Sequence, residues 1–180
     1  MIDTKLILDF WFVQCTPKMW FKKSKSFDEL LRTRFKKTIE TCLKVKIDEI
    51  LISYDNYLSY ILVLDQFTRN VFRNNPKAFQ GDKTSLMLSK SAIKNNFLKE
   101  NKYHYNSFFL MPVMHSENII DHEFGLPFFK KFTNENTFKY ALKHKKIIEE
   151  FSRFPHRNEV LGRKSSQSEL EFLKLSGSRF

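Results

Sequence analysis

Residues 153–166 concentrate the side chains best suited to holding an anion. Arg153, His156, Arg157, Asn158 and Arg163 fall within one short stretch, with Lys164 beside them. Guanidinium forks grip a carboxylate or phosphate through two parallel hydrogen bonds. Pro155 and Gly162 keep the stretch from running on as plain helix. The same arginines could instead cap the free carbonyls of the preceding helix and favour the negative end of its dipole.

Two further polar groups accompany this loop. In Asp65-Gln66-Phe67-Thr68-Arg69-Asn70 the acid and the base are four residues apart, the spacing of an ion pair on one helix face. Leu58 and Ile61 lie upstream on that face, so Asp65 turns toward the interior, where a carboxylate needs partners. It is either a structural salt bridge or part of a pocket wall. In Met111-Pro112-Val113-Met114-His115-Ser116-Glu117-Asn118, His115 and Glu117 are two apart and diverge on a regular helix, a poor arrangement for a metal. His144 falls between Ala141 and Ile148, on the apolar side of its helix. His115, Glu117 and His144 are the candidates for proton transfer. Asp65, Arg69, Asn70, Arg153, His156, Arg157, Asn158 and Arg163 are the candidates for ligand binding.

Several chemistries find no support. Phosphate-cradling glycine loops and nucleophile elbows are missing from the sequence. Cys15 and Cys42 are too few for a disulfide framework or a zinc site. No metal and no cofactor is expected. The net charge of +11 raises the question of nucleic acid. Most of the 31 basic residues are scattered lysines, however, found with abundant Phe, Asn and Ile, which is an AT-rich coding bias. A nucleic-acid surface would show arginines interleaved with exposed aromatics, so such a partner is not expected. The start of the chain does not read as a targeting signal, and no apolar run approaches the roughly 20 residues of a membrane span. A reduced, cytoplasmic setting fits.

Helices must position these groups. Four glycines and five prolines leave little material for hairpins. Apolar residues recur every three or four positions over 3–14, from Ser26 to about Lys46, from Ser53 to just before Pro76, and from Asp82 to Phe97. They recur again around Tyr105–Met114, from Asn136 or Thr137 to Phe151, and after Ser165-Ser166. Ser26-x-x-Glu29 and Ser166-x-x-Glu169 have the form of capping boxes, and Asp82 is the expected cap of its helix. Gly125 and Pro127 are expected to interrupt the chain before Phe128. The expectation is a single all-α domain over 1–180, with about seven or eight helices stacked as antiparallel pairs.

The motifs Asp9-Phe10-Trp11-Phe12, Trp20-Phe21, Asp65-Gln66-Phe67-x-Arg69-Asn70, Met111-Pro112-x-x-His115-Ser116-Glu117, Arg153-Phe154-Pro155-His156-Arg157-Asn158 and Leu161-Gly162-Arg163-x-Ser165 resemble the DUF924 family. The resemblance runs from about Ile7 to Phe172, and Thr68 stands where the family usually has proline. It implies a tetratricopeptide-like α-α superhelix and carries no established catalytic residues. Its motif positions are largely polar, which favours their convergence on one pocket for a small anionic molecule, with enzymatic activity left open. The alternatives are a groove for a protein or peptide partner, a buried network that only stiffens the fold, and an RNA-associated basic protein.

Overall fold

A computed structural model describes residues 2–178. The described residues form helices joined by turns and irregular loops, and no strand occurs among them. The first helix, α1 (Thr4–Asp9), starts where Asp3 accepts a hydrogen bond from the Leu6 amide at 2.9 Å. It widens into a π-helical turn over Phe10–Gln14. A short α2 (Pro17–Phe21) follows, then α3 (Lys25–Cys42), α4 (Tyr54–Ile61), a second π-helical stretch (Leu62–Phe67) and α5 (Thr68–Val71). The remaining helices are α6 (Asp82–Lys94), α7 (Tyr103–Met114), α8 (Ile119–Phe132), α9 (Glu135–Phe151) and α10 (Gln167–Phe172).

Helices α6 to α9 each pack on the next in sequence, and α4 packs on α1, α6 and α7. Short connections between such neighbours give antiparallel pairs. At the centre lies α7, whose residues from Asn106 to Met114 are all buried. A helix apolar on every side belongs inside a domain. Around it Trp11, Phe10, Phe35, Phe67, Phe108 and Phe109 form the main core, with ring centroids 4.9–6.2 Å apart within its Phe10, Trp11, Phe35 and Phe67 set. A smaller apolar cluster of Ile147, Ile148 and Phe154 sits under the end of α9 and the loop that follows it.

The all-helical expectation holds, and the boundaries move. Ser24, not Ser26, caps α3, accepting from the Phe27 amide at 3.3 Å, while Glu29 pairs with Arg32. Asn134 caps α9 two residues before the expected position. Gly125 and Pro127 interrupt nothing, because both lie inside α8. The box at Ser166 and Glu169 forms as the spacing implies.

Asp82 is not a cap. Gly81 occupies that position, and Asp82 is the first residue of α6. The reason is contact: a Cβ on Gly81 would stand 2.3 Å from the Leu64 carbonyl oxygen. That carbonyl belongs to the π-helical stretch and accepts the Thr68 hydroxyl at 2.7 Å. The Thr68 amide meanwhile bonds one residue further back, to Val63. Gly81→Ala should therefore push α6 away from residues 62–67 and cost about 1–3 kcal/mol, the usual range for overpacking a tight contact. Urea unfolding of the variant would show this as a lower midpoint with an unchanged slope.

Candidate functional site

The candidate residues come from four parts of the chain, and the π-helical stretch sets the first of them. A π turn shifts the residues after it around the helix axis, and such turns recur at functional sites. Here it places Asp65 inside, with no exposed surface. One carboxylate oxygen receives His115 Nδ1 at 2.8 Å and lies 3.0 Å from Arg69 Nη1. The other receives the Gln66 amide at 2.5 Å and lies 3.1 Å from the same His115 nitrogen. Burial pushes the Asp65 carboxyl upward, but Arg69 and His115 together outweigh it and hold the group well below the usual carboxylate range.

Arg69 continues the chain of charges. Its Nη1 stands 2.9 Å from one Asp82 oxygen, and its Nη2 donates to the other at 3.0 Å. Asp82 in turn faces Arg157 at 3.6 Å. No motif marked Asp82 in the sequence, since an acid in the first turn of a helix is ordinary dipole chemistry. Only the close approach at Gly81 brings it against Arg69.

His115 and Glu117 do not diverge as a regular helix would make them. α7 ends at Met114, so His115 is its C-cap and Glu117 lies in the turn before α8. Both side chains reach the same cluster. Glu117 accepts both terminal nitrogens of Arg163, at 2.6 and 3.0 Å, and the Phe154 amide at 2.9 Å. Burial alone would raise the Glu117 pKa; the Arg163 fork and the Phe154 amide more than offset it. Asn158, almost fully buried, holds Arg163 in place by accepting its Nε at 3.0 Å and donating to Ser165.

Arg157 stands apart from these well-paired groups. Its side chain is only 7% exposed. Its guanidinium lies between the Phe79 and Phe154 rings, 4.9 and 4.5 Å from their centroids. Nη2 donates to the His115 carbonyl at 3.0 Å, and so closes the C-terminus of α7. The nearest carboxylate oxygens, on Asp82 and Glu117, stand 3.6 and 4.0 Å from Nη1, beyond hydrogen-bond length. Nε is buried without a partner. Burial, with Arg69 adding repulsion, brings the Arg157 pKa down to about 10.

Histidines complete the cluster. His144, on α9, donates Nδ1 to the Tyr140 carbonyl at 2.8 Å, and its ring centroid is 6.2 Å from that of His115. His156 faces Phe154, with centroids 5.6 Å apart. Burial is the main reason that both titrate at about 3, with His115 and Arg157 respectively adding to the fall.

Two candidates lie elsewhere. Asn70 donates to the Gln66 carbonyl and accepts from Arg73, whose fork holds Asp28 of α3, so it serves a bridge between α3 and α5. Arg153 makes a fork of its own to Glu169 at 2.6 and 2.8 Å, which ties the loop to α10. Among the described residues no group of acids, histidines and cysteines is arranged to hold a metal ion.

A buried neutral imidazole makes stability depend on pH. The folded pKa of His144 lies below the value of about 6.5 for a free imidazole, so the unfolded chain binds the extra proton. Its contribution is whole above about pH 6.5 and shrinks as pH falls toward 3, by about 1.4 kcal/mol per pH unit. His144→Gln should flatten the fall in melting temperature between pH 7 and pH 5. A calorimetric series at half-unit steps would measure it.

The fold has a counterpart among solved structures. A protein of unknown function, ATU0120 from Agrobacterium tumefaciens, shares 28% sequence identity with this chain and superposes with a TM-score of 0.87. The alignment covers 95% of this chain and 96% of that one. No functionally curated protein matches the chain. The family model described as bacterial protein of unknown function, DUF924, matches residues 7–177, nearly the whole chain, and the protein belongs to that family.

Proposed function

We propose that the cluster binds a small anionic molecule, a carboxylate or a phosphate, with Arg157 as its anchor. The state of Arg157 carries this reading. Every other cation of the cluster has a carboxylate at hydrogen-bond distance: Arg69 has Asp65 and Asp82, and Arg163 has Glu117. Arg157 is the most buried of the three and makes one hydrogen bond, to a carbonyl. Burying a guanidinium that incompletely paired costs stability. The Phe79 and Phe154 rings restrain the planar group, and its buried Nε has no partner.

The distribution of aromatics favours a closed site over a groove for a protein partner. Trp11 and Trp20 are buried, and among the described phenylalanines only Phe21 and Phe124 are exposed. Two surface hollows, about 410 Å³ against α10 and about 310 Å³ along α9, are lined by other residues. With Asp65, Arg157 and Asn158 all covered, a ligand reaches Arg157 only when the 153–163 loop lifts.

Two substitutions separate an anchor from a brace. Arg163→Met removes the partner of Glu117 and should lower stability by about 2–3 kcal/mol, the scale of hydrogen bonds to a charged group. Arg157→Met keeps an apolar stem between Phe79 and Phe154 and removes an uncompensated charge. Its melting temperature should match or exceed that of the parent. In a thermal-shift screen of phosphate- and carboxylate-bearing metabolites, a binder at 100 times its Kd adds about 2.7 kcal/mol. That is a rise of roughly 5–10 °C for a domain of this size, and Arg157→Met should abolish it. A large drop in melting temperature for Arg157→Met, with no compound shifting the parent, would make Arg157 a brace.

A further inference from the structure

Three groups of the cluster could move a proton, and the geometry separates them. Glu117 has both oxygens committed to Arg163 and one also to the Phe154 amide, so it is locked in its ionised form. His144 donates Nδ1 to the Tyr140 carbonyl of its own helix. His115 differs from both. Its Nδ1 meets both oxygens of a fully buried carboxylate, at 2.8 and 3.1 Å. An ionised Asp65 can only accept, so the proton of the neutral ring sits on Nδ1 and the lone pair on Nε2. A carboxylate placed behind an imidazole in this way sets its tautomer, fixes its orientation and stabilises the imidazolium once formed.

We infer that His115, oriented by Asp65, is the general base of a hydrolytic site that acts on an ester whose own carboxylate or phosphate group pairs with Arg157. The inference rests on the anionic-ligand reading above. Water is the nucleophile, because the hydroxyls nearby are committed: Ser116 donates to Asp121 at 2.5 Å and Thr68 to the Leu64 carbonyl at 2.7 Å. Both cysteines sit in the apolar core, where burial pushes their thiols up to about 11 and about 12. In the step, Nε2 takes a proton from water as the water oxygen bonds to the ester carbonyl carbon. The carbon–oxygen bond to the alcohol then breaks, and the imidazolium returns the proton to the departing alkoxide. The products are an acid and an alcohol, and nothing is oxidised or reduced. Burial is the main influence on the His115 pKa and lowers it, and the pull of Asp65 does not fully offset this. The ring is therefore neutral and able to accept a proton at pH 7.

The test uses the full chain with 4-nitrophenyl succinate, which carries a free carboxylate, and 4-nitrophenyl acetate, which does not. Binding is read separately, as the thermal shift with succinate. The parent protein should hydrolyse the succinate ester faster than the acetate ester. His115→Asn retains an amide that donates to Asp65 but has no lone pair in place of Nε2. It should lose at least about 100-fold in kcat, the low end of what general-base catalysis contributes, and keep the succinate shift. Asp65→Asn should also lose kcat, with its pH profile displaced. Arg157→Met should raise KM with little change in kcat.

A succinate shift with no His115-dependent turnover overturns the catalytic inference and leaves the binding reading standing. Turnover of both esters that depends on His115, without any succinate shift, supports the base and removes the anion anchor. Absence of both shift and turnover overturns the two together.

Discussion

The structure is organised around a carboxylate that has lost its water. An ion the size of Asp65 costs several kcal/mol to desolvate even after the surroundings relax. The fold meets that cost with donors from Gln66, Arg69 and His115. Each donor makes a further demand. Arg69 needs Asp82, which requires α6 to begin against the π-helical stretch, and that contact admits only a glycine at position 81. His115 must stand where α7 ends, and its carbonyl accepts one hydrogen bond from Arg157. The 153–163 loop is drawn in as a result and held by Arg163 on Glu117. One buried charge thus links α4 through α7 to a segment near the end of the chain.

This layout explains how the polar cluster coexists with an apolar domain. The main core and the smaller cluster around Phe154 are separate apolar clusters that share α8 and α9, and the charged groups form a seam of their own. Within the seam the ions alternate: Asp65, Arg69, Asp82, Arg157, Glu117, Arg163. Alternation lets Asp82 and Glu117 each face two cations, so the desolvation penalty is shared. Hydrogen-bond length is kept along the series except at Arg157. The break falls at the most buried cation of the series, whose guanidinium stands over two aromatic rings.

Much of this was legible in the sequence, and the rest was hidden for identifiable reasons. Residues of one helix four apart had to share a face, so the Asp65–Arg69 pair and the inward turn of Asp65 followed from spacing alone. The place of His144 beside Ala141 and Ile148 was readable in the same way. Asp82 was not, because an acid in a first helical turn already has a sufficient local explanation, and its contact with Arg69 depends on how two helices meet. The convergence of His115 and Glu117 was hidden by the end of α7, which falls between them and Met111 without a glycine to mark it. Asn70 and Arg153 belong to family motifs yet serve bridges to α3 and α10.

The π-helical stretch at Leu62–Phe67 has a consequence for how this chain tolerates length changes. A π turn amounts to one residue inserted into an α-helix. Deleting a residue there would restore regular helix, the cheaper local conformation, and the backbone would gain by it. The same deletion would turn everything downstream by about 100° around the axis, the step of one helical residue. Arg69 would then turn away from Asp82. The segment is thus a place where local backbone preference and the needs of the cluster oppose each other, and the length of this segment, as much as its composition, is under constraint.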